Sequence, residues 1–409
     1  MDDRGRLPGA PETDDPGGQA QVVCHVDVDC FYAACERLRE PALRGEPVVV
    51  GMGYEPGTTD GAVATASYEA RAYGVESAQA ISTALDLLPR KRTAATDPGL
   101  DVADAGFYRP VDMEFYESVA SEVKSVLDDR AGTVRDVSVD EAYLDVTDRV
   151  DWGGVRSFAA DLKDAIAEAV GVTASVGVAP TMSAAKVASD HDKPDGLVVV
   201  EPGAVREFLA PLDVEAVHGV GPVTAAELRE MGVETAGDLA STDPDRIEAR
   251  FGDRGLTVRR YARGDDDRAV EPRGDPKSLS RESAFGEATA DAGRQRDRVR
   301  QLARAVADRA RRKGALYRTI GVKAVEPPFD VNTRAESLPG PVEEPSLVTD
   351  VALSLFEEFA GDPVRKVGVR VSNLSFADER QASLDAWADD GDGAGEGTPA
   401  DGQRSLDQF

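Results

Sequence analysis

Cysteine is scarce: Cys24, Cys30 and Cys35 are the only three in 409 residues. They crowd into one short stretch, are odd in number and lack metal-ligand spacing. That excludes a disulfide framework and leaves the expectation of buried thiols in a reducing, cytoplasmic setting. Histidine is equally sparse and scattered, at His25, His191 and His218, which argues against a zinc site. No apolar run approaches the ~20 residues of a membrane span, so no membrane partner is expected. The first 20 residues have no hydrophobic segment of the secretory kind and read as a disordered leader. Positive charge is also in deficit: 47 Lys and Arg face 76 Asp and Glu, a formal net charge of −29. Taken alone, this speaks against nucleic acid, because phosphate binding normally needs a basic surface. The length allows two to four domains with a substantial core.

Against these absences stand two acidic strands. Val22–Glu36, VVCHVDVDCFYAACE, is an apolar run broken by Asp27 and Asp29 and followed by the aromatics Phe31 and Tyr32. Val137–Val146, VSVDEAYLDV, is a β-rich run carrying the adjacent acids Asp140 and Glu141. Carboxylates inside buried strands are costly unless compensated. A divalent cation bound through oxygen is the compensation these residues suggest, with Asp27, Asp140 and Glu141 around one or two ions. Asp29 reads better as the N-cap of the helix Cys30–Leu38 than as a ligand.

Further along, Pro47–Gly51 and Ala62–Ser67 read as strands. Tyr68 and Arg71, three apart at a helix start, suit either phosphate binding or simple packing of arginine on tyrosine. Residues 91–106 read as a polar surface loop or insertion. Asp112–Asp128 has a helical stripe of Phe115, Val119, Val123 and Val126. Thr133–Val139 and Ala142–Val146 read as a hairpin with Asp140 and Glu141 at its tip, followed by a helix over Val155–Val170 and a strand over Thr173–Val178. In HGVGPVTAAELREMGVETAGDL, the turn around Gly219 and Gly221 has the helix-hairpin-helix pattern, whose backbone N–H groups can hold a DNA phosphate without sequence preference. Past a polar linker, Leu279–Phe285, a helix near Asp291–Lys313, strand Tyr317–Val325, a helix near Ser346–Ala360 and strand Lys366–Leu374 form an α+β unit. Between Lys277 and Lys323, 13 Lys and Arg face 5 Asp and Glu, an excess of 13 − 5 = 8 in an acidic chain. That island is either a DNA grip or a salt-bridged helix face.

Five motifs in this order, HVDVDCFYAACE, YEARAYGV, VSVDEAYLDV, SVGVAP with AAKVASDHDKPDGLVVV, and HGVGP with AAELREMGVETAGDL, resemble the Y-family DNA polymerases of the DinB type over about residues 21–377. With 38 arginines to nine lysines (47 − 9 = 38) and excess acid, the composition is similar to that of extreme halophiles and points to a haloarchaeal member. The resemblance implies an α+β multidomain fold. Palm and fingers would span 21–200 (fingers about 38–106), with an antiparallel catalytic sheet. A helix-hairpin-helix thumb would span 201–264, a linker 265–277 and an α+β little finger 278–377. A disordered acidic tail, 378–402, would lead to a sliding-clamp-binding peptide of the PCNA type at 403–409, through Gln403, Leu406 and Phe409.

By the same resemblance, Asp27, Asp140, Glu141 and the backbone carbonyl of Val28 would bind two Mg²⁺. Tyr32 would be the steric gate against ribonucleotides. Tyr68, Arg71, Lys193 and Thr65 would contact the triphosphate of a dNTP, and Gly219, Gly221, Lys277 and Arg281 would contact primer-template DNA. The implied activity is error-prone translesion synthesis by a DNA-directed DNA polymerase, expected as a monomer. Three departures stand out: Thr181-Met182 where the family often has Asn-Lys, Pro222 where the hairpin often has Lys, and the length of 91–106. A non-catalytic clamp-bound scaffold of the same fold is the alternative, and the intact acid set argues against it. A nucleotidyl cyclase would need neither the hairpin nor the basic island.

Overall fold

Residues 20–376 are described in the structure, a computed structural model. The expected leader, apart from its last residue, lies outside them, as do the expected tail 378–402 and the peptide with Gln403, Leu406 and Phe409. The chain divides after Arg273 into two units.

The first unit begins with β1 (Val23–Val28), which runs into α1 (Phe31–Arg39). Next come β2 (Val48–Met52), β3 (Ala62–Ala66), α2 (Tyr68–Arg71), α3 (Ile81–Leu87), α4 (Lys91–Ala94) and β4 (Phe107–Pro110). The chain continues through α5 (Met113–Arg130), β5 (Thr133–Asp136), β6 (Glu141–Asp145), α6 (Val155–Val170), β7 (Ala174–Ala179), α7 (Met182–His191) and β8 (Leu197–Val199). Four further helices close the unit: α8 (Val205–Leu209), α9 (Pro222–Glu230), α10 (Ala236–Ser241) and α11 (Pro244–Ala262).

The main sheet has the order β5-β6-β1-β7-β8, with β1 antiparallel to both neighbours. All six residues of β1 are buried because helices cover both faces, which is why the segment reads as one apolar run rather than an alternation. Cys24, Val26 and Val28 share a core with Tyr116, Val123, Leu127, Leu162 and Ile166 of α5 and α6. Val23 and Tyr143, on the other face, pack with Ala184, Ala185 and Ala188 of α7 and with the helices beyond it. Helix α7 lies very close to β7: a Cβ on Gly177 would sit 2.1 Å from the Ser189 nitrogen. Only glycine permits that approach, and it brings α7 down onto the sheet beside Asp27.

Several expectations are refined. In α5 the buried stripe is Tyr116, Val119, Ala120, Val123 and Leu127, rather than one built on Phe115 and Val126, which are half-buried. Residues 91–106 are a folded excursion, not a plain loop: α4 buries Ala94, a bridge joins Arg90 to Gly106, and β4 then pairs parallel to β2 in a small sheet of order β3-β2-β4. The expected linker is half docked. Asp266 accepts from the Ser183 backbone N–H at 2.9 Å, Arg135 donates to the Glu271 carbonyl and Arg273 to the Val137 carbonyl.

The second unit contains β9 (Ser278–Thr289), α12 (Ala292–Arg312), β10 (Leu316–Glu326), β11 (Asp330–Val342), α13 (Pro345–Phe356) and β12 (Val364–Ser375). Its antiparallel sheet has the order β11-β10-β12-β9. Strand β11 has no counterpart in the sequence reading. DVNTRAESLPGPV has neither apolar alternation nor a proline-free interior, as suits an edge strand that needs pairing on one side only. Val299, Val306 and Val351 of the two helices pack on Ile320, Val322, Val367, Val369 and Val371 of the strands.

Candidate active site

Register brings the first two acids together. Asp27 on β1 stands directly opposite Glu141 on β6, though 141 − 27 = 114 residues separate them. Side chains at directly opposed positions lie within about 5 Å at Cβ. Asp27 is 7 % exposed. Lys186 of α7 donates to both acids, at 3.0 Å to Asp27 Oδ2 and also to Glu141. Lys193 reaches Asp27 Oδ1 at 2.7 Å, and Asp190 accepts from both lysines, at 3.2 Å and 2.8 Å. The cluster thus comprises three carboxylates and two ammonium groups where β1 ends and β6 begins.

Burial alone would raise the pKa of Asp27. Its hydrogen bond with Glu141 and the charges of Lys186 and Lys193 outweigh burial and hold it well below the usual carboxylate range. Glu141 moves the opposite way: burial, then the hydrogen bond with Asp27, raise it against the pull of Lys186. Burial lowers Lys186, but Asp27, Asp190 and Glu141 more than restore it, so it stays charged.

Asp140 is beside these groups but turned aside. Its backbone carbonyl accepts from the Val28 N–H at 3.0 Å, while its carboxylate takes the Ser138 hydroxyl. Hence no set of three or more His, Cys, Asp or Glu side chains already converges as a metal cage among the described residues. The donor chemistry still fits hard divalent cations: Asp27, its register partner Glu141 and the adjacent Asp140 supply three carboxylates, of which Asp27 is buried enough to demand positive charge. Here the lysine ammonium groups meet that demand.

Asp29 is corrected. It does not cap α1; Cys30 does so in the left-handed region (φ 47) without a side-chain hydrogen bond. The Asp29 carboxylate instead accepts from the Ser175 hydroxyl at 2.9 Å, from the Asp195 N–H at 2.8 Å and from the Tyr68 hydroxyl at 3.3 Å. It therefore ties the turn that carries Lys193 to the helix that carries Tyr68 and Arg71. On that helix the Arg71 guanidinium lies 4.8 Å over the Tyr68 ring and donates to the Ala66 carbonyl. The packed arrangement weighed for this pair is present, and Arg71 remains exposed. Thr65 is half-buried on β3, paired with Val50. Tyr32 is half-buried on α1 and stacks on Tyr116.

In the hairpin, Gly219 has φ +90 and Gly221 caps α9, whose first residue is Pro222. Pro222 removes one N–H from the turn, leaving fewer donors than the pattern suggests. Arg254 of α11 fastens the turn through the Gly219 carbonyl at 3.2 Å. Thr181, the other departure, caps α7 by accepting from Ala184 N–H.

The basic island divides. Most of it lies on α12, where Arg296, Arg300 and Arg311 pair with Glu357, Asp297 and Asp308. Arg281 is opposite Val369, on the side of the sheet that bears the helices, and Lys277 precedes β9. By strand alternation the opposite side of the sheet presents Ser280, Thr319, Gly321, Lys323, Lys366 and Arg370. No helix of the described unit packs on that side, and Lys323 and Lys366 flank Glu282 there.

Sequence reasoning missed Lys186 and Asp190 as members of the site. Their signal was available: Lys186, Asp190 and Lys193 follow at four and three residues, the spacing of one helix face and its exit.

A pair of acids, Asp27 buried and Glu141 half-buried, on a five-stranded sheet that is antiparallel except for the parallel β7–β8 pair, followed by a helix-hairpin-helix and a separate four-stranded α+β unit, defines a nucleic-acid-handling enzyme of the nucleotidyl-transfer class. Residues 26–190 match the impB/mucB/samB family, residues 202–233 the IMS family HHH motif and residues 276–384 the impB/mucB/samB family C-terminal domain. The chain is 59 % identical to DNA polymerase IV of Halobacterium salinarum over 99 % of its own length and 98 % of the relative's. It is 42 % identical to DNA polymerase IV of Methanoculleus marisnigri over 90 % and 98 %. Among solved structures, a Y-family DNA polymerase chimera, Dbh-Dpo4(243-245)-Dbh, aligns with a TM-score of 0.75 at 29 % identity, covering 87 % of this chain and 99 % of that one. An insertion ternary complex of Dbh DNA polymerase aligns with a TM-score of 0.61 at 27 % identity, again over 87 % and 99 %. The chain belongs to the Y-family DNA polymerases of the DNA polymerase IV, or DinB, type. It is a DNA-directed DNA polymerase. No helix among its described residues is long and apolar enough to cross a membrane.

Proposed function

We propose that this polymerase adds dNTPs to a primer 3′-hydroxyl opposite damaged or stalled template positions, using the Asp27–Glu141 pair and Asp140 as its reaction centre. The observation that carries this reading is the register pairing of Asp27 with Glu141 where β1 ends and β6 begins, with Asp140 adjacent. These three acids and the Val28 carbonyl would hold two Mg²⁺. Bound there, the ions supply neutralisation of the triphosphate and activation of the primer hydroxyl for in-line displacement.

The chain's own residues do the rest. Arg71 and Lys193, with Tyr68 and Thr65 beside them, offset and orient the triphosphate through charge-assisted hydrogen bonds. Asp29 fixes the spacing of the two cation-bearing segments. Tyr32 packs under the sugar and excludes a 2′-hydroxyl. The N–H groups around Gly219 and Gly221 hold a DNA phosphate. In the second unit, Lys323, Lys366 and Arg370 on the helix-free side of the sheet suit backbone contacts without sequence information, alongside Lys277 and Arg281 at or before the edge strand. Gln403, Leu406 and Phe409 engage a PCNA-type sliding clamp.

Primer extension in high KCl with Mg²⁺ tests the centre. Asp140→Ala and Glu141→Ala are expected to abolish extension while leaving primer-template binding intact; unchanged extension in either would overturn the assignment. Removal of residues 403–409 is expected to abolish stimulation by the clamp and to leave basal extension unaltered. Equal stimulation of the truncated chain would refute the clamp reading.

A further inference from the structure

A second site lies in the segment between β2 and β4. A pocket of about 500 Å³ is lined by eleven residues, four of them cationic (Arg90, Lys91, Arg92, Arg109), three aromatic (Tyr54, Phe107, Tyr108) and none acidic. In a chain with 76 acidic residues against 47 basic ones, that lining runs against the composition. It shares no residue with the acid cluster, the Tyr68–Arg71 helix or Tyr32. Much of its wall comes from the residues that flank and open the 91–106 excursion.

The cations are not all neutralised. Lys91 pairs with Glu46 and Arg109 with Glu40, but Arg90 and Arg92 have no acidic partner among the described residues. The lining therefore has an excess of about two positive charges once those partners are counted. Arg90 is held in place by neutral acceptors, the Tyr54 hydroxyl at 3.2 Å and the Thr58 carbonyl, so its charge is fixed in position without being cancelled. Its guanidinium lies 5.6 Å from the Tyr54 ring and 5.7 Å from the Tyr108 ring. Lys91 and Arg109 approach the half-exposed Phe107 ring at 5.3 Å and 5.5 Å. The Tyr108 hydroxyl is committed to the Leu88 carbonyl at 2.7 Å. What the pocket offers a ligand is thus chiefly positive charge and the half-exposed face of Phe107, with the Thr93 hydroxyl as a neutral donor beside them.

Those two properties select a ligand. Tyr54 and Tyr108 are already buried, but an inorganic anion would use the charge and leave the half-exposed Phe107 ring wet, and an apolar ligand would strand the guanidinium groups. A phosphate joined to a planar ring uses both, by ion pairing and by stacking on a ring or a guanidinium plane. The volume is within the ~300–1,000 Å³ range of small-molecule sites and suits one such unit. We propose that this pocket binds a single nucleotide, presented either free or as one unit of a single DNA strand, separately from the nucleotide at the acid cluster.

The experiment uses the full chain in high KCl with two photoreactive probes: 8-azidoadenosine 5′-monophosphate and an oligothymidylate containing one 4-thiothymidine. Labelled peptides are mapped by mass spectrometry. Saturable labelling of peptides containing 54–57, 90–93 or 106–109 is expected, falling at least fivefold in Arg92→Glu and retained in Arg92→Lys. Arg92 is exposed and its side chain makes no hydrogen bond or ion pair among the described residues, and matching circular dichroism spectra and melting curves confirm that the variants fold. Labelling by the monophosphate identifies a free nucleotide as the ligand; labelling by the oligonucleotide alone identifies a strand. Absence of saturable label in these peptides with both probes, or equal labelling of wild type and Arg92→Glu, overturns the proposal.

Discussion

Tyr32 stacks on Tyr116 with ring centroids 4.7 Å apart and planes 18° from parallel. Tyr116, fully buried on α5, donates its hydroxyl to Glu36 Oε1 at 2.7 Å, and Glu36 belongs to the same helix as Tyr32. The proposed sugar gate is therefore braced from below by a ring that is itself pinned. Tyr32→Ala is expected to raise ribonucleotide incorporation sharply, because it removes the surface a 2′-hydroxyl would strike. Tyr116→Phe keeps the stacked ring and strands the buried Glu36 carboxyl, so it should leave sugar selection near wild type while costing about 1–3 kcal/mol of stability. Single-nucleotide insertion with dNTP and rNTP, beside a denaturation curve, separates the two effects; loss of selection in Tyr116→Phe would contradict the bracing account.

Lys186 sits between Asp27 and Glu141 and supplies charge that both need. Lys186→Met should destabilise the protein in EDTA by on the order of 1–3 kcal/mol, since removing one partner of a largely buried pair leaves the others uncompensated. Added Mg²⁺ should recover more stability in the variant than in wild type. Melting curves with and without Mg²⁺ check this, and equal shifts in both proteins would rule it out.

Asp29 spans the Lys193 turn and the Tyr68 helix. Asp29→Ala should release both, raising KM for the incoming nucleotide about tenfold with a smaller change in kcat, a loss equivalent to about 1.4 kcal/mol of ground-state binding. Asp29→Asn keeps an acceptor for Ser175 or Asp195 and should lie between the two. Steady-state insertion kinetics resolve the split; a change confined to kcat would argue against a positioning role.

Asp266 anchors the docked half of the linker on the Ser183 N–H. Burial raises its pKa, but the hydrogen bonds from Arg268 and Ser183 outweigh that and hold it below the ordinary value. A carboxyl depressed in the folded state adds stability above its unfolded pKa of about 3.9, and that stability is lost as pH falls through the folded value. The stability gap between wild type and Asp266→Asn should accordingly be full near neutrality and close below about pH 4. Denaturant titrations at several pH values read this directly, and a gap independent of pH would refute it.

What the sequence determined by itself is what lies within a few residues along the chain. Acids inside an apolar run, the glycine turn of the hairpin, the helix over Val155–Val170 and the boundary near the linker all follow from local propensity and burial pattern. That was enough to put Asp27 in a strand and Asp140 and Glu141 at the tip of a hairpin as candidate metal ligands; in the structure Glu141 opens β6 and Asp140 lies in the bend before it. Tertiary structure decided which groups meet. Asp27 opposes Glu141 only because β1 and β6 pair in one register; a slip of one residue would turn Glu141 to the other face. Lys186 enters the cluster because Gly177 lets α7 lie against the sheet. Asp29 left its expected cap for partners 146 and 166 residues away. Strand β11 and the helix-free side of the second sheet were likewise out of reach of periodicity, since an edge strand need not bury a face. Local pattern records how a segment meets solvent. It does not record which distant segment a buried charge will find, and in this protein that pairing holds the site together.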